Sequence, residues 1–312
     1  MVFDHFPAIS SSCRYVVMIF VLLTRNISIF EYLSNFLEIS YNRPKLSPSA
    51  TWNRSETIFV SKDITVNGLF INKNNTIYAP ADYHSFIYEW QEDNINSTRI
   101  IYTNLLSLSD LFVRTTGNIY ISSILTDQVE RLSLNGNISE KILFDCLPCY
   151  RLFISINDIL YCSMLGEHQI VTKSLHIETN ILTVVAGVGF RGSESNMLYL
   201  PQGIFVNINL DLYVADSGND RIQLFRSGQF NGSTVAATFG TITLNEPTSV
   251  VLDADDYLYI TEYDNHRIVR WGSIDVQCIV GCEWEKGSSS NQLVDPERLA
   301  FDSFGHITVG RF

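Results

Sequence analysis

The stretch DLYVADSGNDRIQLF at residues 211–225 contains two short apolar runs around a polar turn. Tyr213 centres the first run and Ile222 lies at the start of the second. Runs this short, bounded by Gly, Asn and Asp, indicate strands of a hairpin rather than a helix. Upstream, LPQGIFV at 200–206 adds a third run, with Phe205 eight positions before Tyr213. The same frame recurs along the chain. First runs fall at Leu69-Phe70-Ile71, Leu111-Phe112-Val113, Leu152-Phe153-Ile154, Ile204-Phe205-Val206, Val250-Val251-Leu252 and Leu299-Ala300-Phe301. Second runs centre on Tyr78, Tyr120, Tyr161, Tyr213, Tyr259 and, more weakly, Thr308, each eight positions after the middle of its first run. A β-branched residue follows nine positions after each tyrosine: Ile87, Val129, Ile170, Ile222 and Ile268. The chain ends before the sixth.

Steps of 42, 41, 52, 46 and 49 residues separate the second-run centres, the period of a solenoid or a propeller. A fourth strand is readable in each long connection, at Arg99–Tyr102, Lys141–Phe144, Leu182–Ala186, Val235–Phe239 and Val276–Val280. Four antiparallel strands per unit make a propeller blade. High aromatic content, 15 Tyr and 19 Phe in 312 residues, suits such strands. The expected architecture is all-β: a six-bladed β-propeller over 51–312, with units near 68–103, 110–145, 150–186, 202–239, 248–281 and 297–312, and little helix. Each first strand should line the axis. The last unit holds two strands, and 57–61 (TIFVS) is expected to join it and leave that blade one strand short. That segment either pairs directly with 307–310 or takes the outermost place; direct pairing is favoured because a gap strands backbone groups on both sides.

Units four and five carry a fuller polar pattern: Asp216, Asn219, Arg221 and Ile222, then Glu262, Asn265, Arg267 and Ile268. These resemble NHL repeats, and so the chain resembles the six-bladed NHL propellers. It also resembles secreted-type, multi-copy NHL proteins through Cys149-Tyr-Arg-Leu-Phe-Ile and Leu160-Tyr-Cys162. The first three units keep the apolar frame but replace the polar positions. A carboxylate and a guanidinium five residues apart across a tight turn can pair, and an Asn can satisfy turn backbone groups. That makes Asp216, Asn219, Arg221, Glu262, Asn265 and Arg267 a structural signature rather than a ligand site.

The function expected from this pattern is non-catalytic: a recognition module binding a protein or glycan. An alternative is an adaptor akin to NHL ubiquitin ligases without the RING. A third is an NHL-fold metal-dependent lyase. Gly187-Val-Gly-Phe-Arg-Gly192 matches the dinucleotide fingerprint, but the residues after it lead to Pro201 and a strand, not to the helix a pyrophosphate needs. The histidines show no metal-ligand spacing; His168 and His266 share one repeat position, in the turn before the third strand. No cofactor is expected. A net charge of -12 makes nucleic acid a poor partner.

Cys146 and Cys149, with Cys278 and Cys282, read less well as a zinc site than as disulfide members, since the two pairs precede opposite blades. Cys149 with Cys162 and Cys278 with Cys282 are the expected bonds, implying an oxidising compartment; Cys13 and Cys146 are unassigned. Asn-x-Ser/Thr sequons begin at Asn26, Asn53, Asn74, Asn96, Asn137 and Asn231, though roughly four would arise by chance from composition. Residues 1–50 form a separate N-terminal segment. Within it, Tyr15–Leu23 is an apolar run fit for a secretory leader or membrane anchor, or else part of a plain extension, and 29–37 has helical spacing. The expected location is secreted or membrane-anchored, with a cytoplasmic alternative.

Overall fold

The computed structural model describes residues 20–24, 41–46, 52–57, 67–81, 83–91, 99–133, 136–143, 148–176, 181–283, 287 and 292–311. The helix expected over 29–37 lies outside them, as do Cys13, Cys146 and residues 58–61. The chain is a β-propeller. Among the described residues the sole helical element is a three-residue 3-10 turn at Ser217–Asn219.

The spacing of eight is the cross-strand register itself. Phe70 faces Tyr78, Phe112 faces Tyr120, Phe153 faces Tyr161, Phe205 faces Tyr213, Val251 faces Tyr259 and Ala300 faces Thr308. The spacing of nine sets the next pairing, where Ile87, Val129, Ile170, Ile222 and Ile268 oppose Pro80, Ser122, Ser163, Ala215 and Thr261. All five β-branched side chains are fully buried. One repeat position thus supplies the same packing contact in blade after blade.

Five four-stranded sheets, not six, are each built wholly from one repeat unit. Their fourth strands are Arg99–Tyr102, Gly136–Leu143, Thr183–Ala186, Ser233–Ala236 and Val276–Val280. Three of these bounds correct the expected strands. The run expected at Val235–Phe239 is split, since Thr238–Phe239 turns back against Ile242–Thr243 as a separate hairpin. The first strands of successive units touch in order, and that of the last unit touches that of the first, so they line a closed axis.

The last unit departs from expectation. Its Pro296–Phe301 and Ile307–Arg311 are completed by two N-terminal strands, Phe20–Thr24 and Asn53–Thr57, in a sixth four-stranded sheet with the last-unit strands inside and the N-terminal strands outside. Leu23 pairs with Ile307, so 20–24, not 57–61, takes the direct place. Residues 53–57 pair with 20–24 and lie outermost. The sheet has four strands and is not one short. The reason is physical: Phe20–Thr24 covers the edge of Ile307–Arg311, and Asn53–Thr57 in turn covers the edge of Phe20–Thr24. Within the N-terminal segment, residues 20–24 and 41–46 thus contact the ring. Part of the apolar run read as a leader or anchor is a strand of the sixth sheet. Among the described residues no helix is long and apolar enough to cross a membrane.

Each blade's antiparallel order places its turns at two ends. Second-to-third turns and connections to the next blade form one face, here called upper; first-to-second and third-to-fourth turns form the lower face. A turn device that the spacing did not reveal recurs below. The polar residue after the first run caps its own turn: Oδ1 of Asn72 accepts from the backbone of Asn74 and Thr76, Asn207 from Asn209 and Asp211, Asp253 from Asp255 and Tyr257, and Asp302 from Phe304 and His306. Burial raises the Asp253 carboxyl to about 6. The folded chain then holds a proton that the unfolded chain has released, so stability falls as pH rises from about 4 to about 6. Asn already does the same work at 72 and 207. Asp253→Asn should therefore keep the turn, raise stability at pH 7 by on the order of 1 kcal/mol, and flatten this part of the pH profile; urea midpoints at pH 4 and 7 measure both.

Cys149 is bonded to Cys162 and Cys278 to Cys282, with Cα separations of 5.2 and 5.7 Å. The first bond ties the entry of the third blade to its second strand. The second holds the residues around Gly281, whose φ of +75° and close approach to the His266 carbonyl leave no room for a Cβ.

Candidate functional site at the ring axis

The middle residues of the six first strands converge around the axis. Phe70, Phe112, Phe153 and Phe205 form a chain of ring contacts, with centroids 4.7, 5.1 and 5.4 Å apart. Val251 and Ala300 complete the circle with smaller side chains, and the axial cavity measures about 70 Å³. Residues 41–46 run across its lower end. The Tyr41 hydroxyl donates to the Val206 carbonyl at 3.0 Å, and its ring packs on Phe153 and Phe205. Burial raises this phenol to about 12, so it stays a donor at any ordinary pH. Asn42 donates to the carbonyls of Asn72 and Phe301, and Arg43 to that of Asp253. This short segment therefore bonds to blades one, four, five and six.

The upper end is closed by charge. The residue two before each middle position is Gly68, Asp110, Arg151, Gly203, Ser249 and Arg298. Arg151, 1% exposed, reaches across the axis to Glu297 at 2.8 Å and donates to the carbonyls of Asn67 and Ser109. Arg298 contacts Asp110, which also accepts from the Leu152 backbone at 2.9 Å. Burial lowers the Arg298 guanidinium to about 9, which leaves it charged at neutral pH. Two cations and two anions from three blades thus neutralise one another at the centre. Asp110 Oδ1, Arg151 Nε and Arg298 Nε find no hydrogen-bond partner among the described residues, so the cluster retains both donors and an acceptor.

Around this closed mouth the upper face carries exposed apolar side chains in more than one sector, including Phe190 and Phe239 on the connections into blades four and five. Over blades one and two it exposes Tyr83, Leu106, Ile124 and Leu125, the first 72% and the last 64% exposed. Over blades four and five it carries Asp220, Glu246 and Asp264. Burial raises the Glu246 carboxyl, and its neighbours Asp264, Asp220 and Glu297 push the same way. Tyr263 is raised to about 12 by burial and then by Asp295, Glu297, Glu246 and Asp264.

The signature residues lie beside this face and are used within the fold. Arg221 meets Asp216 at 2.7 Å and also donates to the carbonyls of Ser193, Glu194 and Met197. Asn219 donates to Asp216 and to the Gly192 carbonyl, and Asp216 accepts from the Tyr199 backbone. In the fifth blade Arg267 meets Glu262 at 2.5 Å, and both Arg267 and Asn265 donate to the Thr243 carbonyl. The set pins each second-to-third turn to the loop that enters the same blade. His168 and His266 act in parallel, but towards the next blade: Nδ1 of each accepts a backbone N–H from the loop that enters the following blade, at Leu200 and Asp295. Residues 187–192 contain no helix, and a Cβ on Gly187 would lie 2.2 Å from the His168 carbonyl oxygen, so this glycine serves close packing. Among the described residues no three His, Cys, Asp or Glu side chains come together as a metal site. The charged cluster at 110, 151, 297 and 298 was not anticipated, although its signal was present as three charged residues at one repeat position.

No family model and no curated protein sequence matches the chain. Solved structures do. A chain of a nidogen/laminin complex aligns with TM-score 0.60 at 13% identity, covering 89% of this chain and 97% of that one. A streptogramin B lyase aligns with TM-score 0.59 at 12% identity, covering 94% and 95%. An auxiliary nutrient binding protein from Bacteroides ovatus aligns with TM-score 0.57 at 16% identity, covering 85% and 77%. At these identities the likeness shows the propeller fold; these neighbours include both binding proteins and an enzyme.

Proposed function

We propose that the protein is a non-catalytic recognition module of NHL type, working outside the cell or in a secretory lumen, whose upper face binds a protein or glycan. The observation that carries this reading is the grouping of exposed Tyr83, Leu106, Ile124 and Leu125 on one sector of that face. Contiguous exposed apolar side chains rimmed by polar ones mark interaction surfaces, and aromatic residues are enriched in them. The two disulfides support the oxidising location. The nutrient-binding and nidogen/laminin neighbours support a binding use of the scaffold, while the fold alone names no ligand. The Asp216–Arg221 and Glu262–Arg267 pairs support the NHL reading.

The test compares Tyr83→Glu/Leu125→Glu on the upper face with Phe304→Ser on the lower. Each is assayed on a glycan array and against extracellular-matrix extract. Retention by the native protein and the Phe304 variant, with loss in the upper-face variant, is the expected result. Equal retention by all three would remove the upper face from the proposal.

A further inference from the structure

We propose that N-linked glycans coat the lower face of the propeller and leave the upper face bare. Four sequon asparagines fall on described residues, in four different blades, and the topology brings all four to the lower end. Asn74 lies in the first-to-second turn of blade one, between Ile71 and Ile77. Asn231 lies in the third-to-fourth connection of blade four, between Phe225 and Ser233. Both are exposed. Asn137 is the second residue of blade two's fourth strand, just after its lower hairpin, where Gly136 pairs with Ser133. Asn53 opens the outermost strand of the composite sheet, opposite Thr24. Because Leu23 pairs with Ile307, which starts its own strand at the lower face, Asn53 sits at that end too. Asn26 and Asn96 lie outside the described residues. The segments that join strands across the upper face contain no Asn-x-Ser/Thr at all.

Chance composition can supply sequons but does not sort them by face. The face that lacks them is the one exposing Tyr83, Leu106, Ile124 and Leu125. A bulky hydrophilic glycan there would obstruct docking, whereas on the lower face it shields turns and adds solubility. The chemistry needs one co-reactant, a lipid-diphosphate-linked oligosaccharide. The Asn side-chain nitrogen forms a bond to the sugar C1, the C1–O bond to the diphosphate breaks with its electron pair leaving on the lipid diphosphate, and the amide gives up one proton. The inference requires an exported, disulfide-bonded chain but not any particular partner, so it stands or falls separately from the binding experiment.

The protein secreted from eukaryotic cells is mapped by intact glycopeptides, alone and as Asn74→Gln and Asn231→Gln. Each variant should lose one glycan mass. Hydroxyl-radical footprinting before and after enzymatic deglycosylation should show increased labelling of Phe230 and Phe304 below, with Tyr83 and Leu125 above unchanged. Ile124→Asn writes the sequon Asn-Leu-Thr into an exposed upper turn. Its modification would show that the transferase reaches that face, so that the bare face is a property of the sequence. Bare Asn74 and Asn231 in protein whose two disulfides are formed would overturn the proposal, as would footprint changes of equal size on both faces.

Discussion

Arg151→Ala is expected to destabilise the propeller by about 3–5 kcal/mol, because it leaves the Glu297 carboxylate buried without its charge partner. The arginine joins parts of the ring that are far apart in sequence. It starts from the third blade, donates to carbonyls at Asn67 and Ser109, and ends on Glu297 in the last unit. Removing it also strips two backbone acceptors of a donor, each worth about 1 kcal/mol when buried. Arg151→Met with Glu297→Gln should recover a good part of the loss, since the desolvated anion is then gone. A double-mutant cycle from urea midpoints reads the difference. If the single and double variants lose the same amount, the pair contributes nothing beyond packing.

The propeller frame was legible because one repeated interval has one structural meaning. Phe112 faces Tyr120 and Val251 faces Tyr259 for the same reason, and Ile87 and Ile268 are buried for the same reason, so six imperfect copies reinforce one register. What stood outside the repeat was harder to read. Residues 20–24 form a strand, yet the apolar run that contains them has the composition of a leader, and composition does not distinguish the two. Tyr41 and Asn42 bond across the axis, but neither occupies a repeat position that would announce it. Asp110, Arg151 and Arg298 did share a position, directly before the apolar run. Their meaning emerges only when the ring closes, because a strand read alone presents that side chain to no definite neighbour. The capped turns at Asn72, Asn207, Asp253 and Asp302 were similarly present as letters. They gain their role from the backbone of the next four residues.

Deleting residues 1–24 is expected to cost several kcal/mol and to make the ring associate through its opened edge. Phe20–Thr24 is the sole bridge between Ile307–Arg311 and Asn53–Thr57 in the composite sheet, so removing it detaches the outermost strand as well. The edge of 307–311 then presents unpaired N–H and C=O groups, a template for another chain. Side chains on the inner side of that strand belong to the core: Ile307 and Val309 are fully buried with Leu299 and Phe301. The cost therefore includes loosening of a packed cluster and not merely loss of hydrogen bonds. Hydrogen exchange at 307–311 should rise by orders of magnitude, while the amides of Tyr213–Asp216 in the fourth blade stay protected unless the whole ring opens. A synthetic peptide spanning 15–24, added in excess, should restore protection by pairing with the same edge. If the truncated chain keeps its urea midpoint and its slow exchange at 307–311, the N-terminal strand does not close the ring and 1–24 can be removed as a leader without loss.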